Sequence, residues 1–324
     1  MGRSHTEGER TRAGSPYLGR ASPTKAACPS GSARVRTPPG PRLVAPVGAW
    51  SAEKLDLLRC YLGREGGRGG FLPATRGAHR RYYIDLFAGP CQNFVRGSGQ
   101  VIDGSPVVAL KGGPPFFTQL HLVDKDPRNV ASLESHRLDY PDRQITTYAG
   151  DANVWIDDIL ARVPREYPVF AFLDPRGAEL HWQTIVKLAR HKPARKIELF
   201  ILFAFNMGLV RLLPRDPDRL TNEAVLDRTL PDPASWRRIY HRRAQLSSAE
   251  FRRAILDEYT GGLRALGYQH VPSPRLITTP KRRGLYFPLF ASDHQAGDRI
   301  MSHCLQTVRE TSLQGSYLPY DQRY

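Results

Sequence analysis

Five short apolar runs, each followed by a stretch of helical spacing, constrain this chain more than any other feature. They are "YYIDLF" (82–87), "QLHLV" (119–123), "QITTYA" (144–149), "VFAFL" (169–173) and "IELFILF" (197–203). Runs this short and this apolar read as strands covered on both faces. Between them, Ser105-Pro106 and Asp126-Pro127 each pair an N-cap oxygen with a proline at the first helical position. Strands alternating with helices predict an α/β, doubly wound, Rossmann-like parallel sheet.

The flanks differ from this core. Residues 1–48 are rich in Gly, Pro, Ser and Arg without periodicity, so a disordered basic tail is expected there. Arg and Ser enrichment also fits a transit peptide, and an over-long start fits as well. Leu55, Leu58, Tyr61 and Leu62 recur at helical spacing behind Ser51, an expected N-cap, with Lys54 where a capping box has Glu. The α/β core is expected over 49–213 and a basic helical insertion over 214–270. A β-hairpin with a closing helix is expected over 271–310, and a second tail over 311–324.

The formal net charge is +16, which favours polyanionic partners. Residues 1–49 hold eight Lys and Arg against Glu7 and Glu9, so 8 − 2 places +6 in the tail and leaves 16 − 6, or +10, for the rest. Cys28, Cys60, Cys91 and Cys304 are widely separated with no C-x-x-C pair. Neither a disulfide framework nor a zinc site is expected, no metal is implied, and a reducing cytoplasm is the expected location. The longest apolar run, "LFILFAF", is far shorter than the ~20 residues of a membrane span, and no secretory signal is expected.

In a doubly wound sheet ligands bind beyond the carboxyl ends of the strands, so residues just after each run are the candidates. Asp85 to Pro90 ends the first, where Gly89 permits a tight turn and close backbone approach. Asp124 ends the second, where a carboxylate can take ribose hydroxyls, and Asp126 reads as a helix cap. Residues 91–104 form a long loop, either a lid or a surface excursion. Asp151, after the third run, can read an adenine edge or cap the next helix. Asp174, Pro175, Arg176 and Gly177, "DPRG", end the fourth, placing a carboxylate to hold an amine or hydroxyl.

The set "YIDLFAGP", "VIDGSPVVAL", "LVDKDP", "GDAN", "FLDPRGAELHW", "MGLVRLLP" and "LYFPLFAS" resembles the three-Cys-motif partner protein family, over about Trp50 to Leu305. The resemblance implies a methyltransferase sheet with S-adenosylmethionine as cofactor and a radical-S-adenosylmethionine-like three-Cys-motif protein as partner. It implies that Asp85, Phe87, Ala88, Gly89 and Pro90 line the methionine part, that Asp124 takes the ribose, and that Asp151 and Ala152 lie by the adenine. Asp174, Pro175 and Gly177 are then catalytic, with Asp174 accepting a proton, while Arg176 and Arg211 orient an anionic substrate.

Three positions depart from the family pattern. Cys91 stands where "FAGP" usually continues with Gly, and a side chain turned toward the ligand there is expected to crowd it; a small buried cysteine is the alternative. Arg176 replaces the aromatic that base-directed enzymes use for stacking, and Val210 replaces a polar residue. Two other functions follow from the same residues. One is an inactive partner subunit with the inherited fold. The other is nucleic-acid binding through Arg237, Arg238, Arg242 and Arg243, with Trp236 and Tyr240 stacking on bases.

Overall fold

The computed structural model describes residues 43–48, 50–63, 69–96, 98–111, 114–278, 284–311 and 317–319. Strand β1 (Val44–Val47) is followed by helices α1 (Trp50–Leu62) and α2 (Phe71–Ala74), strand β2 (Tyr82–Asp85), and the pair β3 (Gln92–Val95) and β4 (Val101–Asp103). Next come α3 (Ser105–Leu110), β5 (Gln119–Asp124), α4 (Pro127–Arg137), β6 (Gln144–Ala149), α5 (Ala152–Leu160), β7 (Val169–Leu173), α6 (Trp182–Arg190) and β8 (Glu198–Phe203). A π-helical turn (Phe205–Leu209) leads into α7 (Val210–Leu212), then α8 (Glu223–Thr229), α9 (Pro233–His241) and α10 (Ser248–Ala265). The chain closes with β9 (Arg275–Thr278), β10 (Gly284–Ala291), α11 (Gln295–Thr311) and β11 (Tyr317–Pro319).

The main sheet has eight strands in the order β11-β9-β10-β8-β7-β2-β5-β6. Strands β6, β5, β2, β7 and β8 are parallel, and β10 runs antiparallel between β8 and β9. All five expected strands form. Strand β7 shows why they were legible: every residue is buried, Val169, Ala171 and Leu173 in the core on one face, Phe170 and Phe172 in that on the other. Helices α5, α6, α8, α9 and α10 supply the first core, and α1, α2, α3, α4 and α11 the second. Both faces are covered, as a mostly parallel sheet requires.

The segment expected as a helical insertion is helical, but it belongs to the core. Trp236, Phe251, Ile255 and Tyr259 are buried against the sheet's own helices. The hairpin is β9 and β10, and its basic turn lies outside the described residues.

Four local expectations are corrected. Residues 44–47, assigned to the tail, form β1, which pairs in parallel with β3 in a separate three-stranded sheet, β1-β3-β4. The 91–104 segment is therefore a hairpin carrying an added strand rather than a structureless loop. Ser51 is not the N-cap of α1, which begins at Trp50; Ser51 is buried and its N–H donates to the Gly48 carbonyl. Ser105 likewise lies inside α3, with Gly104 at the N-cap, and its hydroxyl donates to Asp85.

Cysteine spacing misled as well. Cys60 on α1 and Cys304 on α11 form a disulfide across 244 residues of chain, against the expectation of none. Cys28 lies outside the described residues. Among the described residues no helix is long and apolar enough to cross a membrane, and no cluster of three or more His, Cys, Asp or Glu could hold a metal.

Candidate functional site

The strand order reverses between β2 and β7, and beyond the carboxyl ends of β2, β5, β7 and β8 lies a cavity of about 750 Å³. This is where an open α/β sheet places its ligands. The floor is the turn after β2. Its Ala88 N–H donates to the Val123 carbonyl, and its Gly89 N–H donates to Asp124 Oδ2 at 2.7 Å, joining the ends of two neighbouring parallel strands. Gly89 has φ +62°, which an L side chain rarely adopts, and nothing lies within 4 Å of where its Cβ would be. Asp124 Oδ1 also accepts from Asp126 N–H and Asn129 Nδ2.

Of the residues nominated from sequence, Phe87, Ala88, Gly89, Pro90, Asp124, Asp174, Pro175 and Arg176 line the cavity. Five others do not. Asp85 is fully buried beneath the turn, where it accepts from Ser105 Oγ at 2.7 Å, Tyr83 Oη at 3.2 Å and Phe87 N–H at 3.2 Å, so it supports the floor from below. Asp151 is spent as the N-cap of α5, accepting from Asn153 N–H, and Ala152 is buried in the core. Gly177 packs on the backbone of Gly208 instead of facing the cavity. Arg211 is exposed on α7 and outside the cavity lining.

Sequence reasoning missed the roof. Ala45, Pro46, Val47 and Gly48 of the β1 segment, together with Trp50, Ser51, Lys54 and Leu55 of α1, line the opposite wall. Lys54 reaches across to an ion pair with Asp174, and Tyr286 of β10 holds Trp50 by donating to its carbonyl. The pairing of Lys54 with Asp174 spans 120 residues, so only a wrong capping signal at Lys54 was visible in the sequence. Cys91 is 1 % exposed and belongs to the core under α1 and α3, not to the cavity lining, so the crowding expected from it does not arise.

The basic run on α9 is also redistributed. Trp236 and Tyr240 are buried, so neither presents a face for stacking on a base. Arg237 is held by Glu223 and Asp227, and the Arg243 guanidinium lies 4.1 Å from the Phe251 ring centroid. Arg238 and Arg242 remain exposed.

Two buried carboxyls give the protein a pH dependence. Burial pushes Asp85 up to about 7 against the hydrogen bonds from Ser105 and Phe87. Burial likewise pushes Glu198 up to about 7 despite its bonds to Tyr61 and Ser292. A folded-state value above the unfolded one means that the contribution is fully present below about pH 4 and is lost as pH rises through about 7. Midpoints of urea denaturation are therefore expected to fall between about pH 5 and about pH 8, with Asp85→Asn and Glu198→Gln each flattening the slope. Unchanged slopes in both variants overturn this.

No protein-family model matches the chain. No curated protein matches it either. Among solved structures it is similar to the YcgJ protein from Bacillus subtilis, at 12% identity over 68% of this chain and 94% of that one, with a TM-score of 0.25. A likeness that low carries no weight, and the strand order of the chain itself defines a mixed α/β fold whose mostly parallel sheet is flanked by helices.

Proposed function

We propose that the cavity binds S-adenosylmethionine and that the chain is a methyltransferase-like protein of the three-Cys-motif partner kind. The observation that carries this reading is the direct bond between the Gly89 turn and Asp124 at the point of strand reversal. There the backbone of one strand end and the carboxylate of its neighbour face one cavity. The antiparallel β10 beside β8 supports the reading too, since it is formed by the "LYFPLFAS" motif on which the resemblance partly rests. Association with a radical-S-adenosylmethionine-like protein rests on that resemblance alone.

The residues fit the cofactor. The volume lies within the roughly 300–1,000 Å³ of small-molecule sites. The open space beside Gly89 leaves room for the methionine part along Phe87, Ala88 and Pro90. An ionised carboxylate has about four lone-pair sites, so Asp124 can receive one ribose hydroxyl beside the three donors it already serves. S-adenosylmethionine supplies an electrophilic methyl group. The chain contributes position: residues of β1 and α1 cover one side of the cavity, and Asp174 with Pro175 forms the wall that an acceptor would meet.

A second reading, the inactive partner subunit, is favoured by one contact. Lys54 holds the carboxylate nominated as proton acceptor in an ion pair, so one of its oxygens is already engaged by the protein.

Titration calorimetry with S-adenosylmethionine and S-adenosylhomocysteine tests the cofactor reading. Wild type is expected to bind both. Asp124→Ala is expected to bind at least about tenfold more weakly, since hydrogen bonds to charged groups are worth roughly 1.5–3 kcal/mol. Cys91→Ala is expected to bind like wild type, because the thiol faces the core. Failure of wild type to bind either compound overturns the reading.

A further inference from the structure

Four carboxylates and four cations line the cavity, and their partners are unevenly distributed. Asp174 is paired with Lys54. Asp124 accepts from Gly89, Asp126 and Asn129. Asp126 is held by the guanidinium of Arg128, which is not among the residues lining the cavity. Glu179 accepts from the backbone N–H of Arg176, whose guanidinium makes no ion pair but acts at longer range on Asp126. Three cations remain, Arg96, Lys125 and Arg176, all exposed and without an ion pair among the described residues.

These three do not belong to one helix face. Arg96 follows β3 in the small sheet, where its backbone N–H is tied to Val47 of β1; Lys125 follows β5 and Arg176 follows β7. Three separate elements thus bring like charges to the rim of one opening. Outside the ion pairs of Asp174 and Asp126, these three cations face two carboxylates held only by neutral donors, Asp124 and Glu179, so 3 − 2 leaves the opening at +1, a balance that favours an entering anion. Arginine forks match phosphate oxygens in pairs, and lysine adds a point charge.

We propose that the acceptor served by this site is a phosphate-bearing nucleotide, free or within a strand, whose phosphates dock on Arg96, Lys125 and Arg176. The proposal rests on the methyl-transfer reading of the cavity. Trp50 and Phe87, both half-buried, line the same space and supply ring surface beside the charged rim. Arg237 and Arg243, already engaged with acidic and aromatic neighbours, are not part of the surface.

The test is fluorescence anisotropy with a short labelled single-stranded oligonucleotide, and calorimetry with uridine monophosphate, both in saturating S-adenosylhomocysteine. The Arg96→Gln/Lys125→Gln/Arg176→Gln protein is expected to bind the oligonucleotide at least tenfold more weakly than wild type. Its slope of log Kd against log salt should drop by about 2, because each single-strand phosphate contributes roughly 0.7. The Arg238→Gln/Arg242→Gln protein should match wild type. Binding of uridine monophosphate by wild type identifies a free nucleotide as a source, and binding of the oligonucleotide alone identifies a strand.

Melting temperatures control for folding, and the three single variants replace the triple one if it is unstable. Equal binding by wild type and the rim variants overturns the proposal, as does an equal loss in the Arg238/Arg242 protein. If wild type binds S-adenosylhomocysteine but neither phosphate ligand, the proposal alone fails. If S-adenosylhomocysteine itself does not bind, the underlying methyl-transfer reading fails.

Discussion

Opening the Cys60–Cys304 bridge is expected to destabilise the folded chain by roughly 2–5 kcal/mol. The bridge closes a loop of 244 residues, and the entropy removed from the unfolded chain grows with loop length, though slowly. Its location adds a functional effect. Cys60 lies on α1, six residues after Lys54, and the same helix supplies Trp50, Ser51, Lys54 and Leu55 to the cavity wall. Other contacts keep the helix seated when the bridge opens. Tyr61 donates to Glu198, Lys54 pairs with Asp174, and Leu55, Leu57, Leu58 and Leu62 are buried.

The reduced protein should therefore remain folded, with a lower urea midpoint and weaker binding of S-adenosylhomocysteine. Cys60→Ser, Cys304→Ser and wild type under dithiothreitol should agree with one another. Coincident denaturation curves for oxidised and reduced protein overturn the expectation. The bridge also runs against the reducing cytoplasm inferred from cysteine count, because such compartments keep thiols reduced. Thiol alkylation of protein taken directly from cells distinguishes the two: a bridged pair resists the reagent.

The cysteine error and the successes of the sequence reading have one cause. Features that depend on local pattern were legible, and features that depend on long-range pairing were not. Strands β2, β5, β6, β7 and β8 were read to within two residues because strands covered on both faces are apolar runs. Strand β1, "VAPV", contains a proline, alternates between exposed and half-buried positions, and exists through its pairing with β3 about forty-eight residues away. Edge strands tolerate such a proline, but nothing in four residues announces the partner.

The site divides the same way. The strand-end rule pointed to the end of the sheet where the cavity lies and to eight of its lining residues. It could not say which of these carboxylates the fold had already used. Asp85 was consumed by burial under the turn and Asp151 by helix capping, while Lys54, taken for a failed capping residue, became the partner of Asp174.

Gly208 and Gly177 give the most asymmetric expectation. A Cβ on Gly208 would stand 2.6 Å from Gly177 Cα and 3.0 Å from Gly177 C, distances at which backbone must move. A Cβ on Gly177 would meet Gly208 Cα at 3.7 Å, an ordinary contact. Neither glycine has positive φ, so the difference is one of space rather than backbone conformation. Gly208→Ala is therefore expected to cost about 1–3 kcal/mol by overpacking, whereas Gly177→Ala should stay within about 1 kcal/mol of wild type.

The consequence reaches the cavity, because the atoms that must yield belong to the turn carrying Asp174, Pro175 and Arg176. On the opposite side Gly208 sits in the π-helical turn after β8, whose flanking Phe205 and Leu209 are buried, so relief on that side is resisted by the core. Gly208→Ala should thus weaken both S-adenosylhomocysteine and phosphate-ligand binding, even though Gly208 itself does not line the cavity. Gly177→Ala, inside the "DPRG" motif, should bind like wild type. Equal urea midpoints for the two variants, or a greater binding loss from Gly177→Ala, would show that Gly177 acts at the ligand directly and that its contact with Gly208 is incidental.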